Sequence, residues 1–189
     1  MNDISETIAR SIRDHEQSVR GVSEGAAVIG QMVQKISVSL KAGGTLILCG
    51  NGGSATDAEH VAGEFLGRYK KERKAWPAIA LPSHTAALTA IGNDYSYDDV
   101  FARQVQAFGK KGDVVVGIST SGNSKNVLSA MRAARERGCA TIGVTGKSGG
   151  ALLGLADICF RSGSDDTPRV QEAHILMWHI VCELVDEQL

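Results

Sequence analysis

Val114-Val115-Val116-Gly117-Ile118-Ser119-Thr120-Ser121-Gly122-Asn123-Ser124 runs from an unbroken apolar segment straight into a turn of hydroxyls, and a helical pattern begins at Asn126. An apolar run without polar alternation reads as a strand buried on both faces, which requires a parallel sheet covered by helices. Where such a strand ends and a helix begins, free backbone N–H groups and the helix dipole favour an anion. Gly122 permits backbone geometry closed to other residues, while Ser119, Ser121 and Ser124 add small hydroxyl donors. The competing reading is a helix N-cap, in which Asn123 or Ser124 merely satisfies the first turn. Four hydroxyls within six residues exceed the needs of capping. The turn is therefore expected to cradle the phosphate of a small phosphorylated molecule.

Outward from this stretch the pattern alternates. Strands are expected at Thr45 to Cys49, Ala78 to Leu81, Asp113 to Ile118, Ala140 to Thr145 and Ile158 to Arg161. Between them fall helices from Ser54 to Leu66, near Thr85 to Ile91, from Lys125 to Arg137 and near Ala151 to Ala156. Ile4, Ile8 and Ile12 recur at helical spacing, and Ile29, Met32, Val33, Ile36 and Leu40 continue it in a second segment that stops near Gly43-Gly44. The expected architecture is one α/β domain over residues 1–189, a three-layer sandwich with extra N-terminal helices in residues 1–43 and the sheet core in 44–189. The last segment, Val170 to Leu189, is apolar around much of its circumference, and a second subunit is its expected cover. The cluster Arg68 to Lys74 reads as a solvated connection.

The chain has 189 residues, 43% of them hydrophobic, enough to bury one good core. Its 20 basic and 21 acidic residues give a net charge of −1, which argues against nucleic acid or an anionic membrane as partner. Cys49, Cys139, Cys159 and Cys182 are widely spaced and form no CxxC pair, so buried free thiols are expected. Met1 to Glu6 carries no basic or apolar leader pattern, and no run reaches membrane-spanning length. A soluble, cytoplasmic protein is the expectation.

A second turn, Gly50-Asn51-Gly52-Gly53-Ser54, also follows a buried strand and opens a helix. In open α/β sheets ligands collect at the carboxyl ends of strands. The turn lacks the GxGxxG spacing of dinucleotide sites and the Lys-Ser/Thr of a P-loop, so from spacing alone it is either a site or a tight turn. His60 and Glu64 lie one turn apart on the helix it opens, and Gln171 and His179 lie about two turns apart on the last helix. A histidine and a carboxylate so spaced suit zinc, with further ligands from another helix. Taken alone, such a pair is more often a surface hydrogen bond, and His179 a packed core histidine.

Taken together, these residues make the chain resemble the phosphoheptose isomerases of the sugar isomerase, or SIS, superfamily over nearly its whole length. The resemblance rests on Cys49-Gly-Asn-Gly-Gly-Ser-Ala55, His60 with Glu64, Ala90-Ile-Gly-Asn-Asp-Tyr95, Gly117-Ile-Ser-Thr-Ser-Gly-Asn-Ser124, Thr145-Gly146, and Arg169-Val-Gln-Glu-Ala-His-Ile175 with His179. It implies a flavodoxin-like parallel sheet and a homotetramer with active sites at subunit interfaces. It further implies that Ser119, Thr120, Ser121 and Ser124 hold the phosphate, and that Asn51, Gly52, Gly53, Asn93 and Asp94 contact the sugar. Zinc would be held by His60, Glu64, Gln171 and His179, with Gln171 and Glu64 also at the substrate and Glu64 and His179 as the proton-transfer pair.

The implied reaction converts D-sedoheptulose 7-phosphate to D-glycero-D-manno-heptose 7-phosphate through an enediolate, feeding heptose synthesis for lipopolysaccharide or related glycans. A carboxylate takes the carbon-bound proton, an acid serves the oxygen, and a cation holds developing negative charge. Some similar SIS proteins are instead regulators that bind a DNA replication initiator. A binding protein has no use for a Glu64 and His179 pair, which makes the enzyme the expected class. His174, His84 and Arg68 stand outside the expected site.

Overall fold

The computed structural model describes residues 3–189. Two N-terminal helices, α1 (Ile4–Glu24) and α2 (Ala26–Lys41), precede the first strand, β1 (Leu46–Gly50). There follow α3 (Gly53–Leu66), β2 (Ala78–Ala80), α4 (Thr85–Asp94), α5 (Ala102–Phe108), β3 (Val114–Ser119), α6 (Lys125–Glu136), β4 (Ala140–Thr145), α7 (Leu152–Leu155), β5 (Ile158–Arg161) and α8 (Thr167–Gln188). All five strands are parallel in the order β2-β1-β3-β4-β5, the flavodoxin-like arrangement.

Every residue of β1 and β3 is buried, as their unbroken apolar runs require. Alternate residues serve opposite layers. Leu46, Leu48, Val114, Val116 and Ile118 join α2, α3 and α8 on one side, while Ile47, Cys49 and Val115 join α5 and α6 on the other. Gly117 lets α6 approach β3 closely, since a Cβ there would come within 2.8 Å of Val127 Cγ1 and 2.9 Å of Met131 Sδ. The four cysteines are all free, Cys49, Cys139 and Cys182 buried and Cys159 partly so. Burial pushes the Cys49 and Cys182 thiols up to about 12, which leaves them protonated and unreactive.

Three expectations need correction. The last helix takes much of its cover from within the chain: α1, α2 and α3 pack on it and bury Val170, Ala173, Met177, Trp178, Val181 and Val185, while Leu176 is exposed and Ile175, Ile180 and Leu184 are half-buried. A further exposed apolar stripe lies on α1, at Ile4, Ile8 and Ile12. Helix α5 was not expected, because seven residues carry too little periodicity to stand out.

The third correction concerns Arg73, which leaves the solvated segment to become a structural centre. Its Nε donates to Asp186 Oδ1 of α8 at 2.7 Å, and its other nitrogens donate to the carbonyls of Glu64, Phe65, Gly67 and Lys74 at 2.7–3.1 Å. One guanidinium thus satisfies the last carbonyls of α3 and ties that helix to α8. Both side chains are largely withdrawn from water, at 13% and 4% exposure. Replacing Arg73 by Met leaves Asp186 buried without its partner, so urea denaturation should show a loss of about 3–5 kcal/mol. Arg68→Met, which removes only an exposed pair with Glu72, should leave the midpoint unchanged.

Candidate active site

Strands β1 and β3 are neighbours with Gly50 opposite Ile118, so the turns that follow them emerge side by side. Their helices then part, α3 to one face of the sheet and α6 to the other. The crevice between such diverging connections is where open α/β sheets bind ligands. Here it is a cavity of about 290 Å³ walled by Asn51, Gly52, Gly53, Ser54, Ser119, Thr120, Ser124 and Gln171, among others.

The hydroxyl turn expected to cradle an anion is held in a fixed shape. Gly122 has φ +67° and lies so close to Gly149 O that any Cβ would collide with it. The Ser119 and Ser124 hydroxyls share a hydrogen bond at 2.9 Å, and the Asn123 N–H donates to Ser121 Oγ at 3.2 Å. Ser124 is the N-cap of α6 yet makes no side-chain capping hydrogen bond. Its hydroxyl is therefore not consumed in capping, against the competing reading of this turn. The turn is also pinned from behind: the N–H groups of Ala151 and Leu152 donate to Asn123 Oδ1 and Gly122 O, both at 3.0 Å.

The second turn holds the facing wall. Gly52 has φ +54°, and Gly53 lies against the Gln171 amide, where a Cβ would collide. Asn51 and Asn126 exchange amide hydrogen bonds at 2.9 Å, and Tyr97 Oη donates to Asn51 Oδ1 at 3.1 Å. Asn126 and Tyr97 thus set the orientation of Asn51, and neither was anticipated. Asn126 sits at an ordinary helix-start position, and only its burial against Asn51 reveals its part. Asn93 and Asp94 are not in this wall; they bond to each other at 2.8 Å on the exposed end of α4.

Beyond Gln171 lies a groove of about 340 Å³ lined by Gly53, Thr56, Asp57, His60, Gln171, Glu172 and Ile175. Gly53 and Gln171 border both spaces, so cradle and groove adjoin. His60 Nε2 lies 3.2 Å from Glu64 Oε1 and 3.2 Å from His179 Nε2. The three donor atoms lie within 4.8 Å of one another. Ligands at about 2.0–2.1 Å from a zinc ion, at tetrahedral angles, sit about 3.3 Å apart. The two separations from His60 fit that geometry, and two imidazole Nε2 atoms face to face suit a shared cation. Arg73 holds this geometry from below, since it bonds the Glu64 carbonyl and the helix that carries His179.

Asp57 was missed by sequence reasoning, although it lies one turn before His60 on the same helix. Burial raises its carboxyl to about 6 and the nearby His60 pulls it back, while Oδ2 has no hydrogen-bond partner among the described residues. Arg68 and His84 stand apart, the first beside Glu72 and the second bonded to Gln104 at 2.8 Å. His174 is fully buried, 2.9 Å from the Thr145 carbonyl, and belongs to the core.

Residues 12–146 match the SIS domain family model, so the fold is that of the SIS class. A phosphoheptose isomerase of Aliarcobacter butzleri is 51% identical over 96% of this chain and 97% of its own. One from Roseiflexus is 48% identical over 100% and 98%. The solved phosphoheptose isomerase GmhA of Neisseria gonorrhoeae superposes with a TM-score of 0.92 at 38% identity, covering 98% of this chain and all of that one. The chain belongs to the phosphoheptose isomerases of the SIS domain family, and it is an isomerase.

Burial lowers His174 to about 4, against an ordinary 6.5, so the folded state resists protonating it. Between those values the unfolded chain binds the extra proton, and stability falls as pH drops from about 6.5 towards 4. Asp57, raised to about 6, acts in the opposite sense over part of that window, so the His174 contribution is read as a difference: as pH drops from about 6.5 towards 4, the denaturation midpoint of the native protein should fall relative to that of His174→Gln.

Proposed function

We propose that the protein converts D-sedoheptulose 7-phosphate to D-glycero-D-manno-heptose 7-phosphate, with Glu64 and His179 as its proton-transfer pair. The observation that carries this reading is that the hydroxyl cradle adjoins, across Gly53 and Gln171, the groove bordered by His60, on which Glu64 and His179 converge. Ser119, Thr120, Ser121 and Ser124, with the α6 N-terminus, hold the phosphate; Asn51, Gly52 and Gly53 let the sugar lie close to the backbone. Anchoring the distant phosphate fixes where the reacting carbons fall, which supplies much of the catalytic advantage.

Glu64 takes the proton from the hydroxymethyl carbon of the ketose and returns it to the neighbouring carbon, while His179 moves the oxygen-bound proton. His60, Glu64, Gln171 and His179 would hold zinc, which as a Lewis acid stabilises the negative charge on the substrate oxygens. Because Glu64 serves both as ligand and as base, its two tasks compete. The nearby Gln171 amide can hold substrate hydroxyls in either case. Asn93 and Asp94 would join the sugar contacts only if α4 closes over the cavity.

The exposed Ile4, Ile8 and Ile12 stripe on α1 supports a homotetramer built through the N-terminal helices. No described helix is long and apolar enough to cross a membrane, which suits a cytoplasmic step in heptose synthesis for surface glycans. The reading as a DNA replication regulator is not favoured, since it leaves the His60, Glu64 and His179 cluster without a task.

Glu64→Gln should lower turnover at least about a thousandfold while sedoheptulose 7-phosphate still binds by calorimetry; full activity would refute the assignment. Dialysis against a chelator should abolish isomerisation, and stoichiometric zinc should restore it, as followed by proton NMR of the aldose product.

A further inference from the structure

A further cavity, of about 500 Å³, lies outside the site just described. It opens at the carboxyl ends of β4 and β5, where α1 runs over the turns that follow those strands. Gly21 of α1 lies so close to Gly163 that a Cβ would collide with the Gly163 backbone nitrogen, which brings the helix flush with the turn. Three cations line the space, Arg20 from α1, Lys147 after β4 and Arg161 at the end of β5, with Glu24 as the one carboxylate. Among the described residues none of the three forms an ion pair, and neither does Glu24.

Arg20, Lys147 and Arg161 are exposed, as is Glu24, and cations gathered about one concavity repel one another and draw counter-ions into it. Two guanidinium groups and an ammonium match phosphate oxygens in charge and geometry. The three cations less one carboxylate leave a net +2, the charge a phosphate dianion neutralises. The lone Glu24 carboxylate opposes a bare anion and favours one that also carries hydroxyl donors.

We propose that this cavity is a second anion site, distinct from the Ser119 to Ser124 turn, which takes a polyhydroxylated phosphate ester as an effector. The effector site does not depend on the isomerase reading, because the test counts a difference between variants whatever the cradle binds.

The test is calorimetry on the full-length, zinc-loaded protein with two probes, inorganic phosphate and glucitol 6-phosphate, which has hydroxyls but no carbonyl to isomerise. The Arg20→Gln/Arg161→Gln variant should bind one equivalent per chain fewer than the native protein, with its turnover in the absence of probe unchanged. Glu24→Gln should tighten inorganic phosphate several-fold while removing the advantage of glucitol 6-phosphate, a gain that general damage to the fold cannot mimic. Equal stoichiometry in native protein and double variant overturns the proposal. So does a fall in assembly mass without loss of a phosphate equivalent, which would assign the cations to a subunit contact.

Discussion

Two parallel strands that end level with each other while their helices leave for opposite faces of the sheet create the crevice on which everything else rests. Gly50 and Ile118 are register partners, and the turns beyond them face one another without any further device. The strand order then places the rest of the machinery. α3 returns along one face carrying His60 and Glu64, and α8 crosses the same layer carrying Gln171 and His179. On the proposed reading the hydroxyl turn holds an anion, and the position of α3 against α8 gives that anion a reactive neighbourhood.

That position is fixed by unlike forces. Apolar packing of Phe65, Met177, Trp178 and Val181 holds the two helices together but is indifferent to small slides along their axes. The Arg73 guanidinium is not, because its fork must meet Asp186 and the α3 carbonyls at once. Directional bonds therefore set the register at which Glu64 and His179 meet, and dispersion supplies the bulk of the adhesion. The enzyme places its most constrained charge pair behind the site, where substrate does not compete for it.

What could be read from the chain divides along the same line. The strands were legible because burial on both faces leaves continuous apolar runs, and the two turns because their glycines and hydroxyls are local signals. The pairing of His60 with Glu64 followed from helical spacing, whereas bringing His179 to them needed the resemblance or the fold. Arg73 was misread as solvated, since a basic run gives no hint which member turns inward to a carboxylate more than a hundred positions away. Asn126, Tyr97 and Asp57 escaped for a related reason: each acts through a partner or a degree of burial that no pattern of neighbours in the chain encodes. The last helix was read as apolar around much of its circumference, and α1, α2 and α3 of the same chain supply much of its cover.

The claim on which the account stands is geometric: a sugar phosphate gripped by the hydroxyl turn delivers its first two carbons to the space between residues 64 and 179. A crystal structure of the zinc-loaded Glu64→Gln protein with sedoheptulose 7-phosphate measures this directly. The account predicts the phosphate on Ser119 to Ser124, with the hydroxymethyl carbon about 3–3.5 Å from the side chain at position 64 and the adjacent oxygen within hydrogen-bond reach of His179. A sugar chain directed away from α3 and α8, with the phosphate still in its turn, would contradict it.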